Sequence, residues 1–220
     1  MDIEFQGFGK IPRLSRECII SEKIDGTNAQ VLIELFDPSK HLNPLGVEYY
    51  LEPTPVTDYG TISESVVVTP MAIYAGSKSR IITPDHDNHG FARWVKEHTA
   101  ELVQLGPGRH FGEWWGQGIQ RAYGLKEKRF SLFNTSRWGW IGKDENQRPE
   151  CCHVVPVLWT GLMDSHTIEQ QLWLLAASGS HAAPGYMNPE GVVIFHTALN
   201  GYFKKTIKDD EVPKGKGENL

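Results

Sequence analysis

Short runs of β-branched and aromatic residues, separated by polar turns, form most of the hydrophobic pattern of this chain. Such runs are typical of β-strands, because branched and aromatic side chains pack well on a pleated surface. Five segments fit this description: 31–36 (VLIELF), 47–51 (VEYYL), 65–75 (SVVVTPMAIYA), 130–133 (FSLF) and 154–159 (VVPVLW). The pattern therefore predicts a fold built mainly of strands.

Two segments show helical periodicity instead. The first has positions at helical spacing, namely Phe91, Trp94, Val95, His98 and Leu102. It ends at the Gly-Pro-Gly of residues 106–108. The second follows Ser165, shows a capping-box pattern of Thr167 and Gln170, and stops at Gly179. Its apolar stripe consists of Ile168, Leu172 and Leu175. We predict an α-helix for each segment.

A hairpin pattern lies near the C-terminal end of the chain. Residues 190–207 (EGVVIFHTALNGYFKKTI) contain two strand-like runs, and Asn200-Gly201 is a favourable pair for a two-residue type I′ turn. The whole order is thus one of mixed strands with few helices. It favours an α+β fold over an alternating βαβ fold.

Composition restricts the class of protein. The chain has 220 residues, of which 40% are hydrophobic and 22% charged, as expected for a globular protein with one sizeable core. No apolar run approaches the ~20 residues that cross a bilayer, and the N-terminus lacks the pattern of a secretion signal. We therefore expect no membrane association. The formal net charge of -5 argues against a surface coated with positive charge for nucleic acid, but allows a local basic groove.

The cysteines indicate a reducing environment. Cys18, Cys151 and Cys152 are odd in number and two are adjacent, which argues against a disulfide framework. Together with His153 the adjacent pair forms a Cys-Cys-His run, but no second Cys/His pair stands at ligand spacing. Partly buried thiols are therefore favoured over half of a metal site. We expect a cytoplasmic protein.

The segment SEKIDGTNAQ (21–30) places Lys23, Asp25 and Gly26 just before a predicted strand. Lysine and aspartate are costly to bury unless each finds a partner, and glycine contributes only backbone freedom. Such a cluster is either an ordinary surface turn or a functional site.

Three further polar clusters lie at strand ends or edges, which suggests one cleft assembled from distant segments. In FGEWWGQGIQRAYG (111–124), Glu113 stands between a glycine and two tryptophans. In NPEGVVIF, Glu190 lies in a tight turn before an apolar strand, and Lys204 and Lys205 lie on the partner strand of the same hairpin. Each cluster alone also fits a structural role: an aromatic core strand, a good turn, or protection of an edge strand.

Their order resembles the motifs of the covalent nucleotidyltransferase superfamily, which contains polynucleotide ligases and RNA capping enzymes. A Lys-x-Asp-Gly, an aromatic-flanked glutamate, FSLF, EGVV and a lysine-bearing strand follow one another between residues 21 and 207. The stretches EKIDGTNA, FGEWWGQGIQ and GSKSRIITP are most similar to the nick-sealing, RNA-editing type of ATP-dependent RNA ligase. The resemblance implies an adenylation domain with antiparallel sheets and few helices.

The resemblance also implies a covalent mechanism. Lys23 would take AMP from ATP, AMP would pass to a 5′-phosphate, and a 3′-hydroxyl would displace AMP and seal the strand. A lysine amine attacks only when it is neutral, and neighbouring cations lower the pKa of a lysine. Lys204 and Lys205 would supply such cations and hold the α-phosphate.

Further matches to the family concern the nucleotide. Glu22 and Ile24 would flank the adenine site, and Asn28 would lie near the reactive phosphate. Phe133 would stack on adenine, where a flat apolar face fits, with Phe130 as the competing choice.

Charged positions complete the implied site. Glu113 would take the ribose hydroxyls or a metal, and Glu190 would help to hold Mg²⁺ (or Mn²⁺), which prefers oxygen ligands. Asp25 would fit the lysine or a metal better than the nucleotide. Lys78 and Arg80 would grip the ribose or the 5′-phosphate, unless they belong to a solvated loop.

The lysine pair departs from the superfamily pattern. The last motif is usually Lys-x-Lys, with both ammonium groups on one face of a strand, whereas Lys204 and Lys205 point to opposite faces. A two-residue turn would pair Lys205 with His196 and place it on the side of Glu190. A one-residue bulge would select Lys204 instead. The sequence leaves both open.

Length is the second departure. Larger ligases carry a further domain, often an OB-fold, and only about a dozen residues follow Ile207. We therefore expect a single domain over residues 1–220 without an OB-fold, and a protein partner is a candidate to replace the missing domain. The expected substrate is nicked or single-stranded RNA, or an RNA/DNA hybrid. A minimal DNA ligase, a GTP-using capping-type enzyme and a non-catalytic nucleic-acid-binding module remain alternatives.

Overall fold

Eleven strands and four α-helices make up the part of the chain that the computed structural model describes: residues 4, 5, 7, 9, 11–51, 68–139, 148–208 and 210. The strands are β1 (Glu17–Lys23), β2 (Thr27–Leu35), β3 (Gly46–Leu51), β4 (Val68–Ser77), β5 (Ile81–Ile82), β6 (Gly108–Gly116), β7 (Lys128–Leu132), β8 (Cys152–Val154), β9 (Val157–Leu162), β10 (Gly191–His196) and β11 (Gly201–Thr206). The helices are α1 (Phe91–Glu97), α2 (Thr99–Leu102), α3 (Thr135–Trp138) and α4 (Ser165–Ser178). The predicted α+β class is confirmed. In the described part of the chain, no helix is long and apolar enough to cross a membrane.

The first of two units contains the described residues up to Lys23 and those from Pro156 onward. Its sheet has four antiparallel strands in the order β11-β10-β1-β9. One face of this sheet carries the unit's core, in which Ile20, Val192 and Ile194 pack together with Leu175 of α4. The side chains that alternate with these residues lie on the opposite face.

The second unit contains residues 24–155. Its sheet has the order β3-β4-β2-β6-β7-β8, with β5 paired to β4, and all pairs are antiparallel except β7–β8. The core on one face of this sheet includes Val31, Trp114, Phe130 and Phe91 of α1. The ring of Phe130 lies 5.1 Å from that of Phe91 and 5.8 Å from that of Trp94.

Both predicted helices are present, with ends that local caps determine. The first is divided at His98, between α1 and α2, and the segment ends at Gly106, whose φ of 75° suits glycine. The capping box predicted for the second helix was wrong. Asp164 caps α4, because its carboxylate accepts from the amide (2.8 Å) and hydroxyl (2.6 Å) of Thr167. The helix stops at Gly179, as predicted.

Two predicted strand features were also wrong. Segment 154–159 forms two strands instead of one, because Pro156 has no N–H to continue a ladder, and β8 and β9 belong to different sheets. The C-terminal hairpin is present, but His196 pairs with Gly201, so residues 197–200 form a four-residue turn. Residues 65–67 of the third predicted strand lie outside the described residues.

Replacing a core ring should reveal which of the two phenylalanines of FSLF supports the fold. Phe130 is fully buried, whereas Phe133 is only half-buried. We expect Phe130→Ala to lower the free energy of unfolding by about 3–5 kcal/mol, because it removes a buried ring and leaves a cavity. Phe133→Ala should cost clearly less. Urea titrations followed by tryptophan fluorescence measure both values, and equal losses would contradict the assignment of Phe130 to the core.

Candidate functional site

Lys23 and Glu190 form an ion pair in the first unit. Strands β1 and β10 pair with Lys23 opposite Gly191, which brings the neighbouring Glu190 to the lysine. Nζ of Lys23 lies 2.5 Å from Oε2 of Glu190, and the two side chains are 17% and 5% exposed. Loss of Glu190 would leave Lys23 without this partner in a largely buried place, which is strongly unfavourable. The pairing explains how the chain tolerates a largely buried lysine.

Gly191 is required by the close approach of the neighbouring strand. A Cβ at this position would collide with the carbonyl oxygen of Lys205 and lie 2.7 Å from Cα of Thr206. Both are backbone atoms, so they cannot move aside as the end of a flexible side chain would. The Glu-Gly of the EGVV motif therefore combines the partner of Lys23 with the only residue type that fits beside β11.

The Glu22 side chain points away from that of its neighbour Lys23 and holds a turn of the first unit. Its Oε1 accepts from the hydroxyl of Ser180 (2.5 Å), and its Oε2 accepts from the amides of His181 (2.8 Å) and Ala182 (2.9 Å). The side chain is almost fully buried. The carboxylate thus already accepts three hydrogen bonds within the protein. The predicted position of Glu22 beside adenine remains a prediction, and it would involve the backbone of this residue.

Strand register places Lys204 and Lys205 on different faces of the sheet. Of the two alternatives that the sequence left open, the pairing of Lys205 with His196 is not formed: Lys205 pairs with Val192 and Lys204 with Val193. Nζ of Lys205 contacts Glu169 of α4 (2.9 Å), and this ion pair raises the pKa of Lys205. Lys204 projects from the opposite face of the sheet. That face also carries Lys23, because β1 places Ser21, two residues before Lys23, opposite Val193.

In the second unit, Glu113 binds the strand that follows the lysine motif. Its Oε1 accepts from the amide of Gly26 (3.1 Å), and its Oε2 accepts from Nδ2 of Asn28 (3.5 Å), which lies opposite it in the β2–β6 pairing. A Cβ on Gly26 would lie 2.6 Å from the carbonyl oxygen of Trp114 and 2.7 Å from Cβ of Trp115. Close approach to β6 therefore explains the glycine of Lys-x-Asp-Gly.

Asp25 has an arginine partner that the sequence did not reveal. Its Oδ2 lies 2.9 Å from Nε of Arg121, and its amide donates to the hydroxyl of Tyr123 (2.8 Å). The backbone around these partners is strained, since Gln120, Ala122 and Tyr123 all have positive φ angles of 44–54°. Each such residue costs ~1–3 kcal/mol, so the loop is held in place by its surroundings. In this structure Asp25 is paired with Arg121, and its expected fit to the lysine or a metal stays a prediction.

The other predicted nucleotide contacts of the second unit differ in accessibility. Phe133 continues β7, since its amide donates to the carbonyl oxygen of Phe111, and it follows Ser131 on the face that carries Glu113. Phe130 lies on the core face. Ile24 is buried. The basic pair of GSKSR, Lys78 and Arg80, lies exposed in the turn between β4 and β5.

The two cysteines of the Cys-Cys-His run carry free thiols, one half-buried and one buried. All three cysteines are free, and the sulfur atoms of Cys151 and Cys152 lie 4.0 Å apart. The neighbouring Cys151 thiol and burial raise the pKa of the Cys152 thiol. Within the described ranges, no group of three or more His, Cys, Asp or Glu residues is arranged to hold a metal ion.

Mainly antiparallel sheets, with a paired lysine and glutamate at strand ends, are the arrangement that the resemblance to nucleotidyltransferases implied. Residues 16–208 match the model of the RNA ligase family. Because the match covers most of the sequence, the chain belongs to the RNA ligase family, and the resemblance inferred from the motifs is confirmed.

Solved structures of Naegleria gruberi RNA ligase variants are similar in fold. A variant with ATP and Mn has a TM-score of 0.51 at 19% identity, covering 86% of this chain and 48% of that chain. A second variant with ATP and Mn also scores 0.51, at 17% identity, with coverage of 88% and 50%. An apo variant scores 0.50 at 17% identity, with coverage of 87% and 49%. The chain thus spans about half the length of these ligase chains. No curated protein matches it.

Removing the Glu22 carboxylate should destabilise the first unit. Glu22→Ala leaves one hydroxyl and two backbone amides without their acceptor, and we expect a loss of about 2–4 kcal/mol in the free energy of unfolding. Glu17→Ala, which changes an exposed glutamate of the same strand, is the matched control and should cost little. Urea titration measures both. A Glu22→Ala protein as stable as the control would contradict the structural role of this carboxylate.

Proposed function

We propose that this chain joins a 5′-phosphate and a 3′-hydroxyl of RNA with ATP, through AMP bound covalently to Lys23. The observation that supports this most directly is the contact between Lys23 and Glu190 in a chain of the RNA ligase family. A lysine that is 17% exposed and ion-paired with a buried carboxylate is held in one place, as an attacking group must be.

The first step is attack of the Lys23 Nζ on the α-phosphorus of ATP. A P–N bond forms, the bond to the pyrophosphate oxygen breaks, and Nζ gives up a proton. Oε2 of Glu190 is at hydrogen-bonding distance from Nζ and is therefore in position to receive that proton.

The two later steps transfer AMP from Lys23 to the RNA and then release it. An oxygen of the RNA 5′-phosphate attacks the phosphorus of lysyl-AMP, so the P–N bond breaks and Lys23 regains its proton. The 3′-hydroxyl then attacks the activated 5′-phosphorus, a phosphodiester forms, and AMP leaves with the hydroxyl proton passing to a base. Each step concentrates negative charge at phosphorus, so fixed cations contribute much of the stabilisation.

Lys204 is the cation that we assign to the α-phosphate. It lies on the same sheet face as Lys23 and is exposed, whereas Lys205 is bound to Glu169 on the other face. An ammonium group whose charge is not already neutralised by a carboxylate is the better partner for phosphate.

We assign the nucleotide contacts by the family motifs. Phe133 stacks on adenine and Glu113 binds the ribose. Asn28 acts near the reactive phosphate. The remaining contacts come from the backbone of Glu22, from Ile24, and from the basic pair Lys78 and Arg80.

Mg²⁺ or Mn²⁺ fits this donor set. Such an ion binds one or two carboxylates and completes its shell with phosphate oxygens and water, so it needs no cluster of three acidic residues. The family motifs assign Glu190 and Glu113 as the carboxylates that would hold it, and each is buried in its own unit. When bound, the ion would neutralise charge that develops at the α-phosphate. Two of the Naegleria ligase variants were solved with ATP and Mn.

The expected compartment is the cytoplasm, because the free thiols of Cys18, Cys151 and Cys152 suit a reducing environment. The expected partners are nicked or single-stranded RNA or an RNA/DNA hybrid, and a protein that supplies further nucleic-acid contacts.

Replacing Lys23 tests the covalent step directly. After incubation with radiolabelled ATP and Mg²⁺, we expect the wild-type protein to keep the label on a denaturing gel and Lys23→Ala to keep none, because only a covalent bond survives denaturation. Lys96→Ala, an exposed lysine of α1, is the control and should label like the wild type.

Intact-mass measurement must come first, since a preparation already charged with AMP would take up no label. Label from GTP but not ATP would indicate a capping-type enzyme. The absence of label with either nucleotide, from an AMP-free preparation, would indicate a non-catalytic binding module.

The adjacent lysines form a second matched pair of variants. We expect Lys204→Ala to slow the formation of lysyl-AMP by about 10²–10³-fold, the usual effect of removing one fixed group that stabilises transition-state charge. Lys205→Ala should slow it by clearly less, since Lys205 is bound to Glu169 on the opposite face. Quench-flow measurement of labelled protein gives both rates, and the reverse order of effects would contradict the assignment.

A further inference from the structure

The sheet face that carries Lys23 continues past the site described above. Antiparallel pairing aligns β1, β10 and β11 on this face. We call it the lysine face and define it by Lys23, Ser21, Ile19, Val193, Phe195, Lys204 and Tyr202. The opposite face of the same sheet carries the core beneath α4.

An aromatic pair lies on the lysine face beyond Lys204. Tyr202 is opposite Phe195 in the β10–β11 pairing, and their ring centroids are 4.8 Å apart at an angle of 41°. Tyr202 is 64% exposed, although it stands in a strand and not in a loop. Phe195 supports the ring from one side, so Tyr202 offers a broad, fixed aromatic surface that the core does not use.

The charges on the lysine face suit a polyanion. Lys204 stands two residues from Tyr202 on the same side of β11 and forms no ion pair with any described residue. The carboxylate of Glu190 is already bound to Lys23. The next acidic side chain along β1 on this face is Glu17, two residues beyond Ile19. Between Lys23 and Ile19 the face therefore combines positive charge with exposed aromatic surface.

We propose that the lysine face binds an unpaired segment of the RNA strand whose phosphate reacts at Lys23, with one base stacked on Tyr202 while Lys204 remains at the α-phosphate. This inference rests on the proposed function. Stacking on an aromatic ring together with cationic contacts to phosphates is the usual way in which proteins hold single strands without reading their sequence.

Geometry places the stacked base close to the reaction. Along the strand Tyr202 is four residues from the level of Lys23, and it is two strands away across the sheet. With a rise of ~3.3 Å per residue and a strand spacing of ~4.8 Å, the two Cα positions are roughly 16 Å apart. A few nucleotides of an extended strand cover this distance. The base involved must be unpaired, because both faces of a base inside a duplex are already stacked on its neighbours.

The chain itself supplies the matched control. Phe203 is next to Tyr202, is also exposed and aromatic, but lies on the opposite face of β11. Tyr202→Ala and Phe203→Ala therefore remove similar rings from the two sides of one strand. Tyr202→Phe keeps the ring and removes only the hydroxyl.

Binding of a fluorescent, 5′-phosphorylated single-stranded RNA, measured by anisotropy without ATP, tests the proposal. We expect Tyr202→Ala to weaken binding by at least about fivefold, the lower end of the effect of losing one stacked base. Tyr202→Phe and Phe203→Ala should bind as the wild type does. Tyr202→Ala should bind a fully paired duplex of the same sequence almost as tightly as the wild-type protein does.

An RNA with a single abasic position sharpens the test. The abasic site is placed in turn at each of the first few nucleotides. At one of these positions it should weaken binding by the wild-type protein. At the same position it should not weaken binding by Tyr202→Ala any further. Unchanged binding by Tyr202→Ala, an equal loss in Phe203→Ala, or an equal loss on the duplex would overturn the proposal.

Failure of the proposed function would look different. If the wild-type protein takes no AMP from labelled ATP, the covalent mechanism fails while the binding measurement still tests the lysine face. If Tyr202→Ala takes up AMP as the wild type does but binds single-stranded RNA normally, only the present inference fails.

Discussion

The contact between Lys23 and Glu190 depends on one strand register. Lys23 meets Gly191 only because the apolar side chains of Ile20 and Val192 pack on the other face of the same two strands. A slip by one residue would expose those side chains and turn Lys23 towards the core, so the cost of misplacing hydrophobic groups fixes the position of the charged ones. The ordinary physics of a half-buried sheet thus positions the lysine for the chemistry that we propose.

Alternation along a strand gives neighbouring residues opposite functions. The Glu22 carboxylate binds a buried turn, whereas Lys23 lies on the lysine face. Likewise Lys205 binds Glu169 of α4, whereas Lys204 lies on the lysine face. Adjacent residues of a sequence motif therefore lie on opposite faces of the sheet. For the same reason a Lys-Lys pair can supply only one of the two cations that a Lys-x-Lys pair supplies on one face.

Much of the fold and the family of the chain could be predicted from the sequence, because hydrophobic runs and ordered motifs are local properties. The break at Pro156 and the four-residue turn before Gly201 were missed, since they depend on which strands meet. The partner of Asp25 was missed for a similar reason. Arg121 lies in a loop in which several residues other than glycine have positive φ angles, so the sequence gives no sign of this backbone conformation. The choice between Lys204 and Lys205 needed the register itself.

The proposed chemistry and the proposed RNA binding place opposite demands on solvent exposure in the sheet of the first unit. The chemistry requires a lysine held by a carboxylate away from water, where electrostatic interactions are strong and an unpaired charge is costly. Recognition of a flexible strand requires the opposite, an exposed ring and an exposed cation that accept any base and any phosphate. Because Lys23, Lys204 and Tyr202 lie on one continuous face, a strand held at Tyr202 as proposed would deliver its phosphate to Lys23. The apolar packing that fixes the strand register would then also fix the distance between the proposed binding position and the proposed reaction.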